Sequence, residues 1–365
     1  MKFLQCVLFP VVFFCGQLMA QEKTPSIYSP EQPTIVNIWH RVADVSEGLR
    51  SVESGEISPD GEYVVSGAKF GYKVMLWRTA DGALIWEKAH ESEVEAVTFS
   101  PDASKIATGG EDFYLRIWKA SNGEEIHKIE HPRGLDGITW SHNGNIIATG
   151  CETGELFLWD ANTYQMLGKV KLGSSINSLQ FTKDDSKIAV GGNIKFNDEK
   201  TGERVEIGFA KILNVDDLSI IHELSGFDNS VKSIRISSDG KYVATGSVDK
   251  RAKLFDFKTG ELVHTYQESK NIEAVAFTPD SQFLVTGGHR NKISFYRVKD
   301  HKKVYELETV RTEYIDFSDD GRLMVTSHED SGLLSLYLLV SDTHRIPGLY
   351  KKVAEEQLDN RDLKK

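Results

Sequence analysis

The sequence predicts an all-β protein: a single seven-bladed propeller of four-stranded antiparallel blades, preceded by a signal peptide. Three observations carry that reading. A short turn motif recurs seven times along the 365 residues, its copies stand at near-constant spacing, and each lies within the same succession of short alternating segments. A repeat of about 40 residues holding four short strands is the period of propeller blades.

The turn motif reads "ISPDG" at 57–61, "FSPDA" at 99–103, "WSHNG" at 140–144, "FTKDD" at 181–185, "ISSDG" at 236–240, "FTPDS" at 277–281 and "FSDDG" at 317–321. Its fourth residues are Asp60, Asp102, Asn143, Asp184, Asp239, Asp280 and Asp320, spaced by 42, 41, 41, 55, 41 and 40. Within a unit, "VEAVTF" leads into the turn, "KIATGG" and "YLRIW" follow, and the polar turn "ASNG" precedes a fourth segment, "EEIHKIE". Pro presets φ in such turns and Asp caps their backbone. Closing seven blades into a ring removes sheet edges that would otherwise pair with other chains.

The repeat resembles the WD-repeat propeller family. The fifth unit, "LSGFDNSVKSIRISSDGKYVATGSVDKRAKLFDFKTG" at 224–260, is the most similar. Family units end their third strand in Trp-Asp; here "LWR" (76–78), "IWK" (117–119), "LWD" (158–160) and "LFD" (254–256) stand there, with Tyr296 and Leu336 near the Trp position of the last two units. The resemblance covers roughly residues 35–345 and implies a binding module with partner sites on the loop faces.

The domain reading follows: signal peptide 1–20, linker 21–34, propeller 35–348 with blade starts near 51, 93, 134, 175, 230, 271 and 312, and a polar tail 349–365. Closure needs an outer strand for blade seven. "PTIVNIWHRV" (33–42) is the favoured candidate, and "THRIPGLY" (343–350) is the rival, since Pro347 is tolerated on an edge strand. The N-terminal "MKFLQCVLFPVVFFCGQLMA" has one charge, an apolar run and Ala20 before the expected cut, which predicts export to a periplasmic or extracellular space. Phe14 before Cys15 argues against a lipid anchor. Cleavage leaves 42 basic against 54 acidic residues and one cysteine, Cys151, so no intramolecular disulfide is expected. An acidic chain repels nucleic acid and anionic lipid, and no second apolar stretch is long enough for stable membrane insertion.

His90, Thr108, Asp112 and Trp118 could be read as catalytic. The family resemblance implies instead a structural hydrogen-bond tetrad, and recurrence at the same offset (Asp249 in blade five, Asp330 in blade seven) argues for architecture. Other blades depart from the set: Thr153 stands for Asp in blade three, Phe227 and Phe255 for His and Trp in blade five, and Arg290 for Asp in blade six.

What the repeat does not dictate carries the functional expectation. The second position of the inner-strand pattern gives Glu53, Glu95, Asp136, Asn177, Lys232, Glu273 and Glu313, five of seven acidic, which should ring the mouth of the central channel. Glu93, Glu111, Glu152 and Glu329 stand nearby in the loops. Clustered like charges at a cavity favour cationic ligands. No compact calcium loop, phosphate-binding glycine loop, His-Glu-x-x-His or Cys-x-x-Cys motif is present, so no metal or cofactor is assigned. Unit four carries about 14 extra residues, "NIKFNDEKTGERVEIGF" (193–209), expected as an extended hairpin with Phe196 and Arg204 near its tip. Phe113 and Tyr114 are candidate contact aromatics, and His289 a candidate ligand contact weighed against a solvated loop. The expected function is a non-catalytic exported scaffold for a protein or peptide partner of basic character. The alternative is a propeller enzyme, or a glycan or small-ligand binder, acting at the channel mouth.

Overall fold

Four short strands per unit cannot bury their own faces, so each blade must stack on the next. The computed structural model describes residues 34–44 and 48–340 and places their 28 strands in seven four-stranded antiparallel sheets. The inner strands start at Val52, Val94, Leu135, Ser175, Val231, Ile272 and Thr312. In blade two, Val94–Phe99, Lys105–Gly110 and Tyr114–Lys119 are largely buried, while the outer strand Glu125–Glu130 is mostly exposed. The tail, the signal segment and "THRIPGLY" lie outside the described residues.

The turn motif owes its recurrence to three hydrogen bonds. In blade two the Ser100 hydroxyl donates to Asp102 Oδ1 (2.6 Å), the Ser104 amide donates to the same oxygen (3.0 Å), and the Lys105 amide donates to Ser100 Oγ (2.9 Å). All seven motifs make the first of these bonds, from Ser58 on Asp60 to Ser318 on Asp320, with Thr for Ser in blades four and six and Asn143 accepting in blade three. The turn therefore satisfies much of its own backbone. The residue after the Asp takes a positive φ: it is Gly at 61, 144, 240 and 321, but Ala103, Asp185 and Ser281 elsewhere. Two of the exceptions have a reason. Asp185 accepts from the amides of His142 and Asn143, and Ser281 Oγ accepts from the Asp239 amide, so each ties its turn to the preceding blade.

The core is divided among the interfaces between blades. Seven buried clusters each draw on two adjacent blades; one joins Ala107, Leu115 and Ile117 of blade two to Leu135, Ile138 and Trp140 of blade three. The last interface joins Val52, Met75 and Trp77 of blade one to Val325, Leu334 and Leu336 of blade seven. Blade seven is completed by the N-terminal strand Thr34–Val42, paired antiparallel with Leu333–Val340 from Thr34 opposite Val340 to Val42 opposite Leu333. This is the favoured of the two closing strands. Trp39 lies within it, buried, its Nε1 donating to the Thr79 carbonyl of blade one at 2.9 Å. No helix among the described residues is long and apolar enough to cross a membrane.

Ala103 sits at φ 57° with no side chain to bridge a neighbour. Ala103→Gly should therefore stabilise the propeller by roughly 0.5–1 kcal/mol, read as a raised midpoint in urea at unchanged slope.

Candidate functional site

Each inner strand presents an open edge to the axis, and the side chains there fall into stacked rings. The seven predicted mouth positions, Glu53, Glu95, Asp136, Asn177, Lys232, Glu273 and Glu313, all line one axial cavity of about 420 Å3. Its lining includes ten carboxylates and three cationic side chains, Lys69, Lys232 and Arg235. Above this ring lies a second, formed by the residue that follows each second strand. That residue donates its amide to the loop entering the same blade: Lys69 to Ser51, Glu111 to Glu93, Glu152 to Gly134, His289 to Asn271 and Glu329 to Arg311. Close approach is required: a Cβ on Gly110 would lie 1.9 Å from the Glu93 carbonyl oxygen, so glycine there lets Glu93 and Glu111 meet the mouth.

The third ring, three residues further down each inner strand, staples the blades. Glu56 accepts from the Phe99 amide (2.8 Å), Gln180 from the Ile236 amide (2.7 Å) and Asp316 from the Ile57 amide (3.0 Å), in each case on the next blade. Arg235 lies over the Tyr314 ring at 5.2 Å and donates to Ser178 Oγ at 3.0 Å.

Confining these acids raises their pKa values. Burial, then the nearby Asp316 charge, pushes Glu56 up to about 8. Burial also lifts Asp316 to about 6. Burial, then the charge of Glu152, pushes Asp136 up to about 7. Burial, reinforced by Glu53, holds Glu95 well above the usual carboxylate range. Glu273 and Glu313 are raised as well, burial again being the largest cause. The cations respond in the opposite sense. Burial opposes the charge of Lys69, but Glu53, Glu95 and Glu93 at 3.5, 3.3 and 3.5 Å outweigh it and raise its pKa. Lys232 is raised in the same way, burial being offset by Glu273, Asp136 and Glu313. The mouth is thus an acidic cavity with two embedded ammonium groups.

His90, Thr108, Asp112 and Trp118 come together away from this cavity. His90 Nδ1 donates to Asp112 Oδ2 (3.1 Å), which fixes the tautomer; the Thr108 hydroxyl lies 3.0 Å from His90 Nε2, and Trp118 Nε1 donates to Thr108 Oγ1 (2.7 Å). Arg116 closes the set by donating to Asp112 from Nη2 (2.9 Å) and Nε (3.2 Å). The His90 and Asp112 side chains are 0% and 1% exposed, so no substrate reaches them. Blade three keeps a reduced version, with Trp159 Nε1 donating to Thr149 Oγ1 (3.1 Å) and His131 Nε2 at 3.0 Å from the same oxygen.

Comparison with known proteins agrees with this geometry. The model of the WD domain, G-beta repeat, matches residues 83–119, and that of the anaphase-promoting complex subunit 4 WD40 domain matches 131–184. The chain is a WD-repeat propeller. A third model, eukaryotic translation initiation factor eIF2A, matches residues 226–330. Among curated relatives, WD repeat-containing protein SL1-17 of Schistosoma mansoni is 26% identical over 31% of this chain and 52% of its own. Eukaryotic translation initiation factor 3 subunit I of Aspergillus oryzae is 33% identical over 27% of this chain and 25% of its own. Pre-mRNA-processing factor 19 homolog 2 of Arabidopsis thaliana is 27% identical over 30% and 22%. The match spans about half the length of these relatives or less.

The remaining predicted residues of this WD-repeat propeller stand apart from the mouth. Tyr114 is half-buried, its ring packed by Lys128 at 3.8 Å and Arg116 at 5.3 Å, and Phe113, also half-buried, takes φ 67° in the preceding turn. Phe196 and Arg204 lie on the blade-four hairpin, Lys187–Asn197 paired with Arg204–Asn214, where Phe196 is exposed and Asn197 faces Arg204. Sequence reasoning missed Lys69, although its offset matches that of Glu111. It also missed Glu268 of blade six, which takes the His position, receives a hydrogen bond from Tyr296 and pairs with Arg290 at 3.2 Å. The acid–base pair of the tetrad is kept there with its charges exchanged.

Two predictions follow from these environments. His90 and Arg116 overcome the burial penalty and hold Asp112 well below the usual range, so its ionised form stabilises the fold above about pH 4 and that contribution is lost on acidification. Asp112→Asn should cost about 3 kcal/mol at pH 7, the gap to the parent narrowing as the pH falls below 4. Asp136 has the opposite sign: its raised pKa means that the folded state loses stability as the pH rises from about 4 through 7. Asp136→Asn should raise the melting temperature at pH 8 and have a much smaller effect at pH 4.

Proposed function

We propose that this WD-repeat propeller is a non-catalytic interaction scaffold that works after export and receives a basic segment of a partner protein at its channel mouth. The observation that carries the reading is the axial cavity, where ten carboxylates face three cations on a rigid frame. Low-dielectric walls focus such a field toward positive charge. The blade-four hairpin, with its exposed Phe196 and Arg204, supplies a second contact surface for the partner. Export rests on the N-terminal segment, with its one charge, apolar run and Ala20. The relatives named above include a translation initiation factor subunit and a pre-mRNA-processing factor, which is consistent with a scaffold and says nothing of this chain's own partner. The catalytic alternative draws little support from the cavity floor, because Glu56 and Asp316 are engaged with backbone amides of the neighbouring blades.

The test uses a fluorescent Lys/Arg-rich peptide and a Glu/Asp-rich control. The basic peptide should bind, weaken with salt, and tighten as the pH rises through about 7 and Asp136 ionises. Glu111→Gln with Glu152→Gln should reduce its affinity several-fold, and replacing 196–205 by a short turn should leave the melt unchanged while weakening a folded partner. Equal affinity for both peptides, or no effect of the paired Gln variants, would overturn the reading. Export is checked separately by the N-terminus of the purified protein, expected at Gln21.

A further inference from the structure

On the side of the mouth between blades six and seven, the acids converge on an imidazole. His289 Nε2 lies 3.3 Å from Glu329 Oε2, 3.5 Å from Glu273 Oε1 and 4.0 Å from Glu313 Oε1. Two blades contribute two side chains each: Glu273 and His289 from blade six, Glu313 and Glu329 from blade seven. Their donor atoms are held by the inner-strand column and by the second ring, both fixed by backbone pairing.

A second observation points to a ligand. Glu313 Oε1, the oxygen turned toward His289, is buried and has no hydrogen-bond partner. The Glu273 side chain is only 7% exposed, and its described contacts are long ion pairs, 3.5 Å to His289 and 3.9 Å to Lys232. Leaving such groups uncompensated costs free energy. Three carboxylates share one imidazole, with Lys232 and Arg311 reaching only Glu273 and Glu329. A divalent ion would supply the missing positive charge and the missing partner for Glu313 at once.

The spacing suits a particular class of ion. Four donors about 2.0–2.2 Å from a tetrahedral centre stand about 3.3–3.5 Å from one another. The donor atoms of His289, Glu313 and Glu329 all lie within 4.8 Å of one another, His289 and Glu329 already at 3.3 Å, and Glu273 stands 3.5 Å from His289 on the blade-six side. An imidazole with carboxylates suits a first-row transition ion, whereas Ca2+ takes six to eight oxygens at longer distances. The site is also open to entry, the His289 and Glu329 side chains being 30% and 32% exposed. We propose that His289, Glu313 and Glu329 bind one divalent transition ion of the Zn2+ or Mn2+ class at the channel rim between blades six and seven, with Glu273 beside them as a neighbouring negative charge. The acidic triad on the opposite side, Glu111, Asp136 and Glu152, lacks an imidazole and an orphaned buried oxygen, and it serves as the internal control. The inference does not depend on a basic partner, since the ion site stands on its own donors.

The experiment is calorimetric titration of the metal-stripped full chain with ZnCl2, MnCl2 and CaCl2. One saturable site is expected for Zn2+ or Mn2+, with Ca2+ neither binding there nor displacing the transition ion at equal concentration. His289→Ala and Glu313→Gln should each weaken binding by more than about tenfold, and Glu111→Gln should leave it unchanged. Glu313→Gln removes a buried unpartnered charge, so its metal-free melt should equal or exceed the parent's, which separates loss of binding from loss of fold. Absence of a saturable site, full binding retained by the His289 and Glu313 variants, or binding lost in Glu111→Gln would overturn the assignment. Equal competition by Ca2+ would overturn the ion class.

Discussion

The structure depends on closing the ring. Each blade buries its faces only against two neighbours, and the seven hydrophobic clusters are the interfaces themselves. The seventh interface exists because a strand from the start of the chain, Thr34–Val42, hydrogen-bonds to one near its end, Leu333–Val340. That pairing joins segments about 300 residues apart and carries Trp39 onto blade one. An open array would leave one face of each terminal blade, and a strand edge, in water. Closure makes the contacts reciprocal and sets seven inner strands around one axis.

The chemistry of the mouth follows from that axis. An inner strand has no sheet partner on its axial side, and side chains of the preceding blade take that place, as Glu56, Gln180 and Asp316 do. Further up, where Asn177 makes such a bond to the Val231 carbonyl but the acidic positions carry charge instead, the same edges vary more. There the chain has accumulated carboxylates, restrained by Lys69 and Lys232, in a space too confined for all of them to ionise freely. Architecture and function thus occupy neighbouring rings of one repeat. What recurs in all seven blades holds the turns; what differs between blades, such as His289 beside Glu313 and Glu329, is available for recognition.

Much of this was legible in the sequence because repetition averages out local ambiguity. Seven copies of a Ser/Thr-x-Asp/Asn turn at near-constant spacing give the blade number, and the structure supplies the reason: the Asp accepts from the Ser hydroxyl and one amide while the Ser oxygen accepts from a second amide. The ring of Glu53, Glu95, Asp136, Asn177, Lys232, Glu273 and Glu313 was readable as a column because strand period and unit length are both fixed. Illegible were interactions that break the repeat. Glu268 fills a position where His is expected and pairs with Arg290, a charge exchange visible only when both are seen together. In blade five, Phe227 and Phe255 replace the donors altogether and leave the Thr245 hydroxyl without a partner. Lys69 escaped because its neighbours in space, Glu53 and Glu95, lie in two different units. The packing of Lys128 over Tyr114 was likewise hidden, because a cross-strand contact cannot be read from one strand alone.

Hydrogen exchange followed by mass spectrometry tests the closure most directly. The account predicts that the peptide spanning Thr34–Val42 is as strongly protected as Leu333–Val340, and that the two lose protection together as denaturant is raised, because they form one cooperative unit. If residues 34–42 exchanged at the rate of an unstructured segment while the inner strands of blades one to six stayed protected, the ring would not be closed by its N-terminal strand, and the account built on that closure would fail.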